Sequence, residues 1–122
     1  MQMFGSLVEG LGRALDLYQA RHRVLAENVA NAETPGYRAR DLEFGAALAQ
    51  AFEAGSAPQP APAAEPEPVV DARATVKGDG NSVDVDAEMA KMSENALKMV
   101  ALSQIISRQY AGLRSAITDG RS

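Results

Sequence analysis

The run Asn28-Val29-Ala30-Asn31-Ala32-Glu33-Thr34-Pro35-Gly36-Tyr37-Arg38 decides where the first half of this chain turns. Pro35 disfavours an α conformation at Thr34, and Pro35-Gly36 fits the two central positions of a type II turn. Asn28 and Asn31 stand just before the stop. There a side-chain amide can bond the orphan carbonyls of a helix end or the backbone of a neighbouring chain. By mechanism alone, the run also reads as an ordinary helix-ending turn.

Upstream of the turn, Phe4, Val8, Leu11, Leu15, Tyr18, His22, Leu25, Val29 and Ala32 alternate in steps of four and three. This spacing predicts one long helix over residues 4–32 with a coiled-coil seam sustained for about four heptads. At 1.5 Å per residue it would be ~44 Å long. Glu9, Arg13, Asp16, Arg23 and Glu27 make up the opposite face. Gly10 and Gly12 weaken the first turns by about 1 kcal/mol each relative to alanine. Such a rod carries a narrow apolar stripe and no element of its own segment to cover it.

Downstream, Asp41 is placed to cap a short helix bearing Phe44, Leu48, Ala51 and Phe52 on one face. Residues Gly55 to Pro68 hold five prolines in fourteen positions, with no basic group and no large hydrophobe. Such a stretch buries too little surface to offset its ordering entropy, which predicts a flexible, semi-extended linker. Val69 to Val85 is short and polar, with a turn at Gly78-Asp79-Gly80-Asn81, and reads equally as a brief β-hairpin arm or as a loop. From Asp86, taken as an N-cap, a second long helix is predicted to about Thr118. Its stripe is Met89, Met92, Ala96, Met99, Ser103, Ile106, Tyr110, Leu113 and Ile117, widened by Leu102 and Ile105, and Gly120 suits its end. The chain thus divides into residues 1–33, 34–54, 55–85 and 86–122. The expected class is all-α: long N- and C-terminal helices forming an antiparallel, coiled-coil-like pair around a flexible middle.

Composition narrows the function. The chain has 122 residues, 46% apolar, six aromatics, no tryptophan, no cysteine, one histidine and a formal charge of −4. A chain this short buries only about two-thirds of its surface alone. Absent cysteine excludes disulfides and thiolate metal sites, and the acidic balance disfavours nucleic acid. No run approaches the ~18 apolar residues of a membrane span, and the N-terminus lacks the basic start and unbroken apolar run of a cleavable secretory signal. His22, alone on the helical seam, reads as a packed or interface side chain rather than a ligand. Asp79, Asp84, Asp86 and Glu88 do not have the spacing of an EF-hand. Met89, Met92 and Met99 read as interface filler. Ser103, Ser107 and Ser115 have no second base to activate them, and no phosphate cradle follows a strand. No catalytic, cofactor or metal site is expected.

The run AENVANAETPGYRARDLEF resembles the signature of the flagellar axial proteins, the rod and hook family. Their shared pattern is an asparagine-rich helix end followed by Thr-Pro-Gly-Tyr. A second block, Asn81 to Ile117, including VDVDAEMAKM, is similar to the same family's C-terminal region, and the resemblance narrows to the rod proteins of the proximal segment. The two blocks cover about two-thirds of the chain. Met99 stands where family members often carry an aromatic residue.

The resemblance implies a structural subunit of the basal-body rod, exported by the flagellar type III apparatus without a cleaved signal and located in the periplasmic shaft that transmits torque. Implied partners are copies of itself, other rod proteins, the junction protein between MS ring and rod, and the export gate. Asn28, Asn31, Thr34, Pro35, Gly36, Tyr37 and Arg38 are then the signature corner used in assembly, and Arg38, Arg40 and Asp41 are candidates for inter-subunit ion pairs. Leu11, Leu15, Tyr18, Leu25 and Val29 are expected to pair with Met99, Ile106, Tyr110 and Leu113, within and between protomers. A two-helix hairpin is marginal alone, so the protomer is expected to be completed by neighbours, and non-closing repeated contacts build a filament. The alternative is a soluble adaptor or chaperone that holds a partner's amphipathic helix in a groove.

Overall fold

The computed structural model describes residues 2–56 and 66–120. The core of the proline-rich run, 57–65, and the side chain of Phe4 lie outside the described residues. Helix α1 spans Gln2–Ala30 and α2 spans Phe44–Ser56. Helix α3 spans Val85–Asp119. A two-residue strand β1, Arg40–Asp41, pairs antiparallel with β2, Val69–Val70. The expected class holds: an all-α chain dominated by its two terminal helices.

The terminal helices run antiparallel. Asn28 of α1 meets Glu88 near the start of α3, and Tyr18, almost three turns back along α1, meets Asn95 further along α3. Leu11, Tyr18 and Leu25, one heptad apart, are all buried. A second buried stripe on α1, Leu17, Ala20 and Val24, gathers Leu42, Phe44, Ala47 and Leu48. Helix α1 therefore carries a second buried stripe that the single predicted seam does not include. The turn at Thr34–Tyr37 sends α2 back along α1, and α1 is sandwiched between α2 and α3. Alternating steps of three and four trace one seam, but a helix face about 100° wide or more holds two adjacent ones.

Several boundaries differ from the sequence reading for local reasons. Asp84, in extended conformation, is the N-cap of α3 and accepts from the Ala87 amide at 3.3 Å; Asp86 lies inside the first turn, where its charge suits the helix dipole. Asp41 does not cap α2, because its carboxylate is engaged by Arg21 and by the Leu42 amide. Of the two readings of 69–85, the local hairpin does not form, since its first two residues pair with β1, far back in the chain; residues 71–84 are turns and loop, and their later part wraps the end of α1. Gly10 costs helix propensity but admits a close contact, since a Cβ there would stand 2.9 Å from Phe52 Cδ1.

Candidate assembly site

The chemistry-rich part of the molecule is the corner where α1 ends. Thr34 O accepts from the Tyr37 amide at 3.2 Å, and Gly36 between them has φ +77°. These features make the type II turn that Pro35-Gly36 predicts. Gly36 N donates in turn to Asp79 O at 3.0 Å, across the molecule. The partner loop carries its own left-handed glycine, Gly80 at φ +82°, so close that an added Cβ would lie 3.3 Å from Gly36 Cα. A side chain at Gly80 would crowd the Gly36 backbone, whereas a Cβ at Gly36 would meet nothing within 4 Å, so Gly36 is required by its positive φ alone.

Asn28 sits at the centre of the corner, 0% exposed. Its Nδ2 donates to Arg40 O at 2.7 Å and to Glu88 Oε2 at 2.9 Å. Its Oδ1 accepts from the Arg40 amide and the Tyr37 hydroxyl, both at 3.0 Å. One amide thus uses two donors and two acceptors to join the end of α1, the segment after the turn and the first turn of α3. Asn31 does local work: Nδ2 donates to Glu27 O, and Oδ1 accepts from the Thr34 hydroxyl. Both asparagines therefore satisfy groups within their own chain.

Two carbonyls of the turn after α1, each already accepting a local amide, take a second bond from far along the chain. Asn81, also fully buried, donates from Nδ2 to Asn31 O and Thr34 O, each at 2.8 Å, and accepts at Oδ1 from the Val83 amide. Ser82 adds two more ties, its amide to Tyr37 O and its Oγ accepting from the Ala39 amide. Ala32, Ala39 and Val83, with Tyr37 packed on them, fill the small space left. Thr34, Pro35, Gly36 and Arg38 remain exposed on the outside of the corner.

Ion pairs frame this unit. Arg21 grips Asp41 through two bonds of 3.0 Å and lies 5.2 Å from the Phe44 ring centroid, while Tyr18 packs on that ring at 4.5 Å. Arg40 reaches Glu27 at 2.7 Å. Within the protomer, Arg40 and Asp41, expected as inter-subunit partners, each have an ion-pair partner on α1. Lys91 stands 3.7 Å from Glu88 and 4.0 Å from Asp71, tying α3 to the residue after β2.

The helix-packing set divides. Leu11, Tyr18 and Leu25 are buried, and Leu15 and Val29 are half-buried. Met99, Ile106 and Leu113 are half-buried, whereas Tyr110 is 53% exposed. The inward stripe of α3 is Glu88, Met92, Asn95, Met99, Leu102, Ile106, Gln109 and Leu113. It shares every second position with the predicted stripe and lies one residue earlier at the others, because Glu88 and Asn95 take places where the apolar pattern favoured Met89 and Ala96. Met89, Leu97, Val100, Ile105, Tyr110 and Ile117 are left exposed. A groove of about 660 Å³ opens beside them, lined among others by Leu15, Gln19, Met99, Val100 and Ser103. His22 is half-buried, and among the described residues no group of three His, Asp or Glu side chains converges as a metal site.

Sequence reasoning missed Asn81, Glu88 and Asn95 as parts of the site. Their signal was the seven-residue spacing, hidden because only apolar residues were counted into the seam.

No family model matches the chain. Curated relatives do. It is 36% identical to the flagellar basal body rod protein FlgB of Cereibacter sphaeroides over 118 positions, 86% of this chain and 88% of the relative. It is 32% identical to the protein of that name from Yersinia enterocolitica, covering 88% of this chain and 90% of the relative. The Escherichia coli protein of that name is also 32% identical, with 88% and 89% covered.

Proposed function

The chain belongs to the flagellar basal body rod protein FlgB family, and from that premise we propose that it is a non-catalytic subunit of the proximal rod. In this reading it is exported without a cleaved signal and joins the MS-ring junction protein and export gate below to the other rod proteins above. Torque then passes through it. The division into an N-terminal rod helix (1–33), a corner with its short helix (34–54), a variable linker (55–85) and a C-terminal rod helix (86–122) belongs to the same proposal.

The observation that carries it is the contrast between a saturated corner and an unsaturated helix. The corner presents Thr34, Pro35, Gly36 and Arg38 on a frame whose buried amides are bonded. Helix α3 keeps Met89, Leu97, Val100, Ile105, Tyr110 and Ile117 at least 40% exposed. Exposed apolar residues repeated along a helix suit burial against neighbouring helices, and a rigid corner gives each subunit a defined angle for that contact. Asn28, Asn31 and Tyr37 shape the corner from inside. Leu11, Leu15, Tyr18, Leu25 and Val29 with Met99, Ile106 and Leu113 hold the pair, and Tyr110 faces a neighbour.

The test uses the absence of native cysteine. Cysteines replacing Tyr37 and Tyr110 should crosslink this chain to copies of itself and to other rod proteins in flagellated cells. Those products should vanish in cells lacking the other rod components. A single one-to-one product with a soluble partner would favour the adaptor reading and remove this one.

A further inference from the structure

The side chains that α3 buries are not its apolar ones. Its buried residues are Glu88 and Asn95. One heptad earlier, ahead of the helix, stands Asn81, buried as well. These three are seven residues apart, and each meets the first half of the chain through a hydrogen bond. Asn81 reaches the Asn31 and Thr34 carbonyls, Glu88 accepts from Asn28, and Asn95 Nδ2 donates to the Tyr18 carbonyl at 2.8 Å. The contacts descend α1 as they ascend α3, so they form a ladder along the antiparallel pair.

Asn95 is a poor residue for stability. It is 1% exposed, its Oδ1 has no hydrogen-bond partner, and it stands between Met92 and Met99 on a stripe where leucine would pack. An unpaired buried carbonyl works against folding. A single polar residue in a helical seam is, however, the device that fixes register at a cost in stability. Apolar contacts are non-directional and largely recur when one helix slides by a turn, whereas a hydrogen bond is lost within an ångström or two.

We propose that Asn95, together with the Asn28–Glu88 pair, sets the axial register of α3 on α1. The contact presents the exposed stripe of α3 at one height relative to the Thr34–Tyr37 corner. This goes beyond the rod reading and does not depend on it, because it concerns the protomer alone.

The experiment places spin labels at Glu33→Cys, beside the corner, and Ala101→Cys, beyond Asn95, both exposed positions in the 122-residue chain, which has no other thiol. Dipolar distance measurement should return one population for the otherwise unsubstituted chain. Asn95→Leu should keep its helicity and heat resistance. It should also add a second population displaced by about 5 Å, one helical turn, holding roughly a fifth of the molecules or more. Asn95→Ala should add the same displaced population, and Glu88→Gln, which keeps an acceptor for Asn28, should not. A single native population in both Asn95 variants overturns the proposal. So does loss of helicity in Asn95→Leu, or a broad distribution before any change at Asn95.

Discussion

At the corner end of the helix pair, Asn28 is fully buried with all four of its amide positions bonded; further along α3, past Asn95, Leu97 projects at 72% exposure. The two regions share two helices and differ in what holds them. The corner is held by directional bonds between amides, carbonyls and one carboxylate, with only alanines, a valine and a tyrosine to pack. The far part of α3 has half-buried apolar residues on one side and exposed ones on the other, and buries no residue beyond Asn95. Directional bonds specify a single geometry, while an apolar stripe specifies only that something must cover it. In the proposed rod subunit, the corner would set the angle and the exposed stripe of α3 would be the surface a neighbour covers.

The sharpest way to break the contrast is at Asn28. Asn28→Leu leaves the Arg40 amide and carbonyl, the Tyr37 hydroxyl and Glu88 without their partner in a closed site. The expected loss is about 3 kcal/mol or more, read by urea unfolding. Amide exchange should locate it, with Arg40 losing its protection first.

Gly36→Val comes next. Its φ of +77° is costly for a β-branched residue, and about 2 kcal/mol of destabilisation is expected. Rod assembly and motility should suffer well beyond any effect of Ala57→Val, whose site is distant in sequence from the corner. Unchanged motility in the Gly36 variant would remove the reason for singling out the turn.

On the far side of the comparison, a substitution should help. Gly112 lies in α3 with nothing within 4 Å of the Cβ it lacks. Gly112→Ala should add roughly 0.5–1 kcal/mol of helix stability, seen as higher helicity by circular dichroism. Gly10→Ala offers less, because the new methyl must displace the Phe52 ring.

The smallest effect on the protomer should come from Leu97→Gln, within about 0.5 kcal/mol by thermal melting. The same change should reduce incorporation into rods, scored by crosslinking in cells. Equal behaviour in both assays would mean that this face is not covered by a neighbour.

Much of this architecture was legible in the order of residues. Both long helices follow from apolar residues at steps of three and four, and the type II turn follows from Pro35-Gly36, because each is a property of a few neighbouring positions. The two blocks that resemble the axial proteins led to the family that the relatives then established. Other readings went astray where a residue's partner lies far along the chain. Asp41 had the look of a helix cap until Arg21, twenty positions earlier, claimed its carboxylate. The stretch 69–85 read as a local hairpin arm or a loop, and its first two residues instead pair with Arg40–Asp41. Met89 and Ala96 outscored Glu88 and Asn95 as seam residues because hydropathy cannot register that Asn28 and the Tyr18 carbonyl wait opposite.

Sequence by itself determined the elements: where helices run, where the first one stops, and that their stripes need covering. These depend on backbone sterics and on the period of apolar residues, both local along the chain. Only the tertiary structure decided which polar side chains go inside and how α3 stands on α1. That choice rests on bonds such as Asn28 to Glu88, sixty residues apart in the chain, and a buried polar group is tolerated only where the folded chain brings it a partner.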